Sequence, residues 1–193
     1  MRKLIRKLSD MRGISGFEYR LTDQIADMFK KYCDDVKIDS LGSVIAVKRS
    51  NKPNAPKLMI EAHCDEIGLI VTSITDEGYL TFANVGGVDE RTLPSTEVTV
   101  HGKEDLWGVI GIKPNYLLEQ GKTAKLKELA VDTGLSAEKV KELVAVGDSI
   151  TLAQSVGRLG KKQFSGKSLD DRASVAAIMR VMKNIKDLDI DID

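Results

Sequence analysis

A chain of 193 residues with 29 basic against 29 acidic groups and 42% hydrophobic residues has the make-up of a soluble globular protein, with room for one ordinary core or about one and a half small ones, so that two lobes are possible but not required. It lacks the basic excess that binding a polyanion calls for, and no apolar run approaches the roughly 18 residues of a membrane span, so neither nucleic acid nor a membrane is an expected partner. The N-terminal MRKLIRKLSD has no apolar core of signal-peptide length, and Cys33 and Cys64 follow no zinc-ribbon or disulfide spacing; they read as reduced thiols in a cytoplasmic protein.

In chain order, Leu4, Ile5, Leu8 and Met11 sit at helical spacing and stop at Gly13. Phe17, Leu21, Ile25, Met28 and Phe29 repeat the pattern, with Ser15 as cap and Glu18 three residues on, which predicts a capping box. The period then shortens: Val36 and Ile38, a turn containing Gly42, and Val44 to Val47 predict a hairpin. NKPNAP is a loop, and KLMIEA, short and apolar, is expected to be a central strand. From Gly68 to about Gly160 the runs GLIVTSI, GYLTFANVGG, STEVTVHG, LWGVIGI and DSITLAQSVGRLG, punctuated by glycine, predict a small barrel or sandwich. One helix interrupts them, SAEKVKELV, capped by Ser136 with Val140, Leu143 and Val144 inward. After Gly160 a helix returns in DDRASVAAIMRVMKNIKDL, which holds Ala173, Ala176, Ala177, Met179 and Met182 and closes with basic residues in its last turns, as the helix dipole favours. The expected organisation is an α/β lobe formed by residues 1–68 and 161–193, interrupted by a β-rich insert at 69–160.

Chemistry concentrates in two stretches. In LMIEAHCDEIG, Leu58 to Gly68, strand alternation puts Glu61, His63 and Asp65 on one face and turns Cys64 away. A histidine with a carboxylate two residues on suits metal ligation, nitrogen binding the ion while the acid orients the ring. It equally suits a histidine at a strand end with solvated acids in the turn. In GKSLDDRASVAA, Gly166 to Ala177, two aspartates precede Arg172 at a helix start; Asp170 or Asp171 can cap the helix and Arg172 can pair with either.

The motifs AHCDEIG, NVGGVDERTLP, VDTGLSAEKV, VGDSITL and GKSLDDRAS occur together and in this order. In this the chain resembles the glutamyl aminopeptidase family, the tetrahedral (TET) aminopeptidases often labelled endoglucanases, from GISGFEYRLTDQI to its last residues. The resemblance implies an α/β fold: an incomplete dinuclear-metal peptidase lobe interrupted by a barrel-like dimerisation domain. It implies that His63 binds one metal, that Asp65 orients that histidine, and that Asp170 bridges two divalent ions of zinc, cobalt or manganese. Such ions stand roughly 3.5–4 Å apart, acidifying a shared water and polarising a peptide carbonyl. Asp171 stands where the family accepts Asp or Asn and is not expected to be a ligand. The expected activity is removal of N-terminal residues from short peptides, by a homo-oligomer that is at least a dimer and up to a dodecamer.

The family's further motifs, a Glu-Glu pair, an Asp and a last His, have no counterpart in the 193 residues. The chain by itself is therefore expected to be inactive and to need them from elsewhere, for instance from a second chain. A non-catalytic assembly module is the alternative. A glucanase is disfavoured, because it needs two carboxylates about a sugar ring and no metal. Should His63 and Asp170 not be the ligands, Glu61, Glu66 and Asp171 are the nearest acids to replace them. In the insert, His101 reads as a surface or turn histidine and Trp107 and Tyr116 as core or interface aromatics. Cys64 reads as packed.

Overall fold

Two amphipathic helices open the chain. In α1 (Arg2–Asp10) Leu8 is fully buried, and α2 (Tyr19–Phe29) turns Leu21, Ile25 and Phe29 inward, as a spacing of four along a helix requires. The predicted capping box does not form. Glu18 is the residue before α2 and accepts from the Gly16 amide at 2.9 Å, while the Ser15 hydroxyl donates to the Asp65 carboxylate. Drawn to an ionised acceptor, the hydroxyl is turned away from the helix amides whose hydrogen bonds it would accept as a cap. Strands β1 (Asp35–Ile38) and β2 (Val44–Val47) form the predicted hairpin, with Gly42 at φ +89° in its turn.

KLMIEA is not the central strand expected. Leu58, Met59 and Ile60 are 62, 83 and 57% exposed, and among the described residues no strand pairs with this segment. The Leu58 amide donates to the Asp193 carbonyl and the Asp193 amide to the Pro56 carbonyl, each at 2.9 Å, the pattern of one parallel bridge. Strand propensity is realised only against neighbours, and one residue does not make a ladder. The computed structural model describes residues 1–112 and 124–193, so Tyr116 lies outside the described residues. They divide into one unit of Met1–Glu66 with Ser155–Asp193 and another of Ile67–Gln154. Among them no helix is long and apolar enough to cross a membrane.

The second unit is a closed antiparallel barrel rather than a sandwich. Its strands β3 (Gly68–Ile74), β4 (Leu80–Val85), β5 (Glu97–His101), β6 (Asp105–Ile112), β7 (Leu129–Asp132) and β8 (Ser149–Leu152) run in the order β3-β4-β7-β6-β5-β8. Alternate residues such as Leu69 and Val71, Leu80 and Phe82, and Val98 and Val100 fill the interior, and closure removes every strand edge. Helix α3 (Ala137–Leu143) starts at Ser136, whose hydroxyl accepts from the Lys139 amide, and packs Val140 and Leu143 on the barrel core. His101 is not a surface or turn residue. It belongs to β5, with Nδ1 2.7 Å from Asp105 Oδ1 and Nε2 2.9 Å from Thr151 Oγ1. Trp107 is 59% exposed and takes no part in the core.

A Cβ on Gly102 would stand 2.3 Å from the Leu143 carbonyl oxygen, which also accepts from the Lys103 amide. Backbone has to shift to relieve that clash, and overpacking of this kind costs about 1–3 kcal/mol. Gly102→Ala is therefore expected to lower the urea midpoint of the barrel while leaving the slope of the transition unchanged.

The chain closes with the hairpin of β9 (Gly157–Leu159) and β10 (Gln163–Ser165), then α4 (Leu169–Ile185). Its inward stripe is Arg172, Val175, Ala176 and Met179, whereas Ala177 is exposed. The last three of these join Leu8, Leu21, Ile25 and Phe29 in one core.

Candidate functional site

Residues 61–66 keep strand-like alternation without a ladder. Ala62 and Cys64 pack against the core of the first unit, and His63 faces outward. Its Nδ1 lies 3.0 Å from Asp65 Oδ1, and its Nε2 lies 3.1 Å from Asp170 Oδ1, 107 residues away in sequence. The other Asp65 oxygen accepts from Ser15, so the acid that orients the ring is itself held in place. Asp170 has extended backbone at φ −90° and ψ 107°, and regular helix begins only beyond Asp171. Its 96% exposed carboxylate is thus directed to the histidine rather than capping the helix.

Electrostatics follow from the contacts. Desolvation of the ring works against a charge on His63, but hydrogen bonds to Asp170 and Asp65 outweigh it and raise its pKa above the ordinary 6.5. Partial burial pushes the Asp65 carboxyl up, and the hydrogen bonds from Ser15 and His63 more than reverse this, leaving it below its ordinary value. Burial raises the Cys64 thiol, the neighbouring Arg172 charge opposing it, so this packed thiol is no ready thiolate. In an NMR titration of the metal-free chain, His63 is expected to titrate above 6.5 and to move downward in Asp170→Ala. The sign follows from linkage: a raised histidine pKa stabilises the fold below the unfolded value, and that contribution fades as pH climbs through the folded one.

The donor set fits a divalent ion in kind and spacing. Two ligand atoms each about 2.0–2.1 Å from a tetrahedral zinc are about 3.4 Å apart, and at right angles about 2.9 Å; the 3.1 Å between His63 Nε2 and Asp170 Oδ1 falls between these. It does not fit in number. Among the described residues no group of three or more His, Cys, Asp or Glu is placed to hold a metal.

Arg172, which the sequence left open to pair with Asp170 or Asp171, has another partner. Arg172, completely buried, lies with its Nη2 3.6 Å from Glu66 Oε1. Its Nε donates to the Cys64 carbonyl at 2.7 Å, and Nη1 to the carbonyls of Leu8 at 3.0 Å, of Ser9 at 3.3 Å and of Met11. Glu66 Oε2 receives Lys167 Nζ at 2.5 Å and the Ser168 hydroxyl at 2.7 Å, and Oε1 the Gly13 amide at 3.1 Å. Both oxygens are engaged inside the protein, which removes Glu66 from the reserve ligands. A signal for this cluster existed in the sequence: Arg172 is in helical register with Val175, Ala176 and Met179, and an inward charge requires a buried partner.

Residues 42–193 match the family model described as M42 glutamyl aminopeptidase. Lysyl aminopeptidase from Pyrococcus furiosus is 33% identical over 198 residues, taking in 98% of this chain and 56% of that protein. Among solved structures, an aminopeptidase from the archaeon Desulfurococcus kamchatkensis superposes with a TM-score of 0.90 at 34% identity, over 98% of this chain and 53% of its own. The Pyrococcus horikoshii TET1 peptidase, which can assemble into a tetrahedron or a large octahedral shell, gives 0.85 at 35% identity, over 96% and 56%. The chain therefore spans about half the length of the relatives it matches. Members of the matched family use dinuclear metal sites, and TET homologues assemble into dodecamers. With the family model aligned over most of its residues and the fold shared with TET peptidases, the chain belongs to the M42 family of metallo-aminopeptidases.

Proposed function

We propose that these residues form the N-terminal part of a cytoplasmic aminopeptidase that removes N-terminal residues from short peptides, with His63 and Asp170 as metal ligands and Asp65 as the acid that orients His63. The observation that carries this is the pair of contacts on one imidazole: Nε2 at 3.1 Å from Asp170 Oδ1, and Nδ1 at 3.0 Å from Asp65 Oδ1. Asp65 accepts the Nδ1 proton, so neutral His63 offers its Nε2 lone pair outward. Asp170 meets the histidine through one oxygen and keeps a second with which to bridge. Two divalent ions of zinc, cobalt or manganese, held there, would acidify a shared water and polarise the peptide carbonyl.

Two side chains do not complete such a centre, so the remaining ligands and the general base come from polypeptide equivalent to the rest of the relatives' length, in the same or a second chain. The exposed run Leu58 to Ile60, whose Leu58 amide already donates to the Asp193 carbonyl, offers backbone against which that polypeptide can build a sheet. The barrel serves as the dimerisation domain, and light scattering at micromolar concentration is expected to give at least a dimer.

Calorimetric titration with cobalt(II) tests the site. Weak binding is expected in the 193-residue chain and none in His63→Ala or Asp170→Ala. Binding that survives both substitutions overturns the assignment.

A further inference from the structure

We infer that the buried Glu66–Lys167–Arg172 cluster is the positioning device of the site, setting the approach of His63 to Asp170 without touching substrate or metal. The inference rests on the proposed reading of that pair as ligands. Three stretches distant in sequence meet in the cluster: residues 8–13, 63–66 and 167–172. Glu66 and Gly13 exchange hydrogen bonds, the Glu66 amide donating to the Gly13 carbonyl at 3.0 Å and the Gly13 amide to Glu66 Oε1 at 3.1 Å. Lys167 Nζ joins Glu66 to the Met11 carbonyl, at 2.5 and 3.1 Å. Arg172 reaches the Leu8, Ser9, Met11 and Cys64 carbonyls, and Gly13 at 3.4 Å.

The topology gives these contacts their consequence. His63 lies three residues before Glu66, and Asp170 lies between Lys167 and Arg172. Neither ligand has an anchor of its own in regular structure: His63 is outside any ladder, and Asp170 precedes the regular part of α4. Their spacing is therefore inherited from the cluster on either side. One carboxylate against two cations, nearly or fully withdrawn from water, is a poor way to gain stability, since apolar side chains of the same volume commonly do as well or better. What the ions supply is direction. The planar guanidinium fixes several acceptors at set angles, and each carbonyl it binds belongs to a segment that must not slide.

The test uses the 193-residue chain, Glu66→Gln, Lys167→Met and a packing control, Ile25→Val, in the same core. Lys167→Met leaves the Glu66 and Arg172 charges balanced and carries the test if Glu66→Gln does not fold. Without metal, NOEs between the His63 ring and the Asp170 β-protons are expected in the parent and in Ile25→Val. They should vanish from the cluster variants while their circular dichroism stays that of the parent. With cobalt(II) alone, the Kd read from its visible absorption is expected to rise about 10–100-fold in the cluster variants and to stay unchanged in the control. NOEs that persist in a folded cluster variant, or a control that weakens cobalt binding equally, overturn the inference. Loss of the NOEs with cobalt affinity unchanged supports positioning and counts instead against His63 and Asp170 as the ligands.

Discussion

The 193-residue chain alone is expected to hydrolyse aminoacyl-p-nitroanilides no faster than buffer, with or without added cobalt, zinc or manganese. The proposed site has one imidazole nitrogen and one aspartate to offer an ion, with the second nitrogen and Asp65 occupied by each other. A tetrahedral catalytic zinc ordinarily takes three protein ligands, so affinity is weak and water fills the remaining positions. Nor are two of the nearby acids free to act as a general base: Glu66 is buried among its own partners and Asp65 is held by Ser15 and His63. Losing such a base alone costs about 10²–10⁴ in rate. Adding in trans the polypeptide equivalent to the rest of the relatives' length is expected to restore metal-dependent turnover. Metal-dependent turnover by the chain alone would show that the ligands are wrongly assigned and move attention to Glu61 and Asp171.

What could be read in the sequence was whatever is periodic. The helices from Arg2 and Tyr19, the hairpin about Gly42 and most barrel strands announce themselves by spacing, because in each unit the inward residues face that unit's own core. Strand β7 escaped, since its four residues, Leu129–Asp132, show only one repeat of the alternation. KLMIEA misled for the opposite reason: its composition states a preference for burial that nothing among the described residues satisfies. Composition reports affinity for a sheet; it does not supply the sheet.

The site divides along the same line. His63 and Asp65 are neighbours in sequence, and alternation alone puts them on one face. No spacing rule joins either to Asp170, 107 residues from His63; the family resemblance brought that residue in. Ser15 was misread for want of its partner. As a cap it needed only the next helix, whereas Asp65, 50 residues on, offered a charged acceptor. Local reasoning left Arg172 free to pair with the adjacent acids, whereas its register with Val175 and Met179 pointed inward.

In the reconstituted enzyme, His63→Ala and Asp170→Ala are each expected to reduce turnover to background, while Asp65→Asn leaves a measurable remnant. Either alanine removes one of the two proposed donors, and a bridging carboxylate lost takes with it the contact that would hold both ions. In the proposed reading Asp65 acts through the imidazole. Asparagine can turn its carbonyl to Nδ1 and still accept the proton, so the tautomer survives, but the charge that makes His63 a better donor is gone. Replacing such a partner typically costs about 10–100-fold in metal affinity or activity. The signature is a loss that excess metal partly recovers, because weaker ligation is answered by mass action. Ser15→Ala, which frees one oxygen of Asp65, should follow the same course with a smaller loss. If Asp65→Asn proved as dead as Asp170→Ala at saturating metal, Asp65 would have to meet the reacting atoms itself, and the ring-orienting role assigned to it would be wrong.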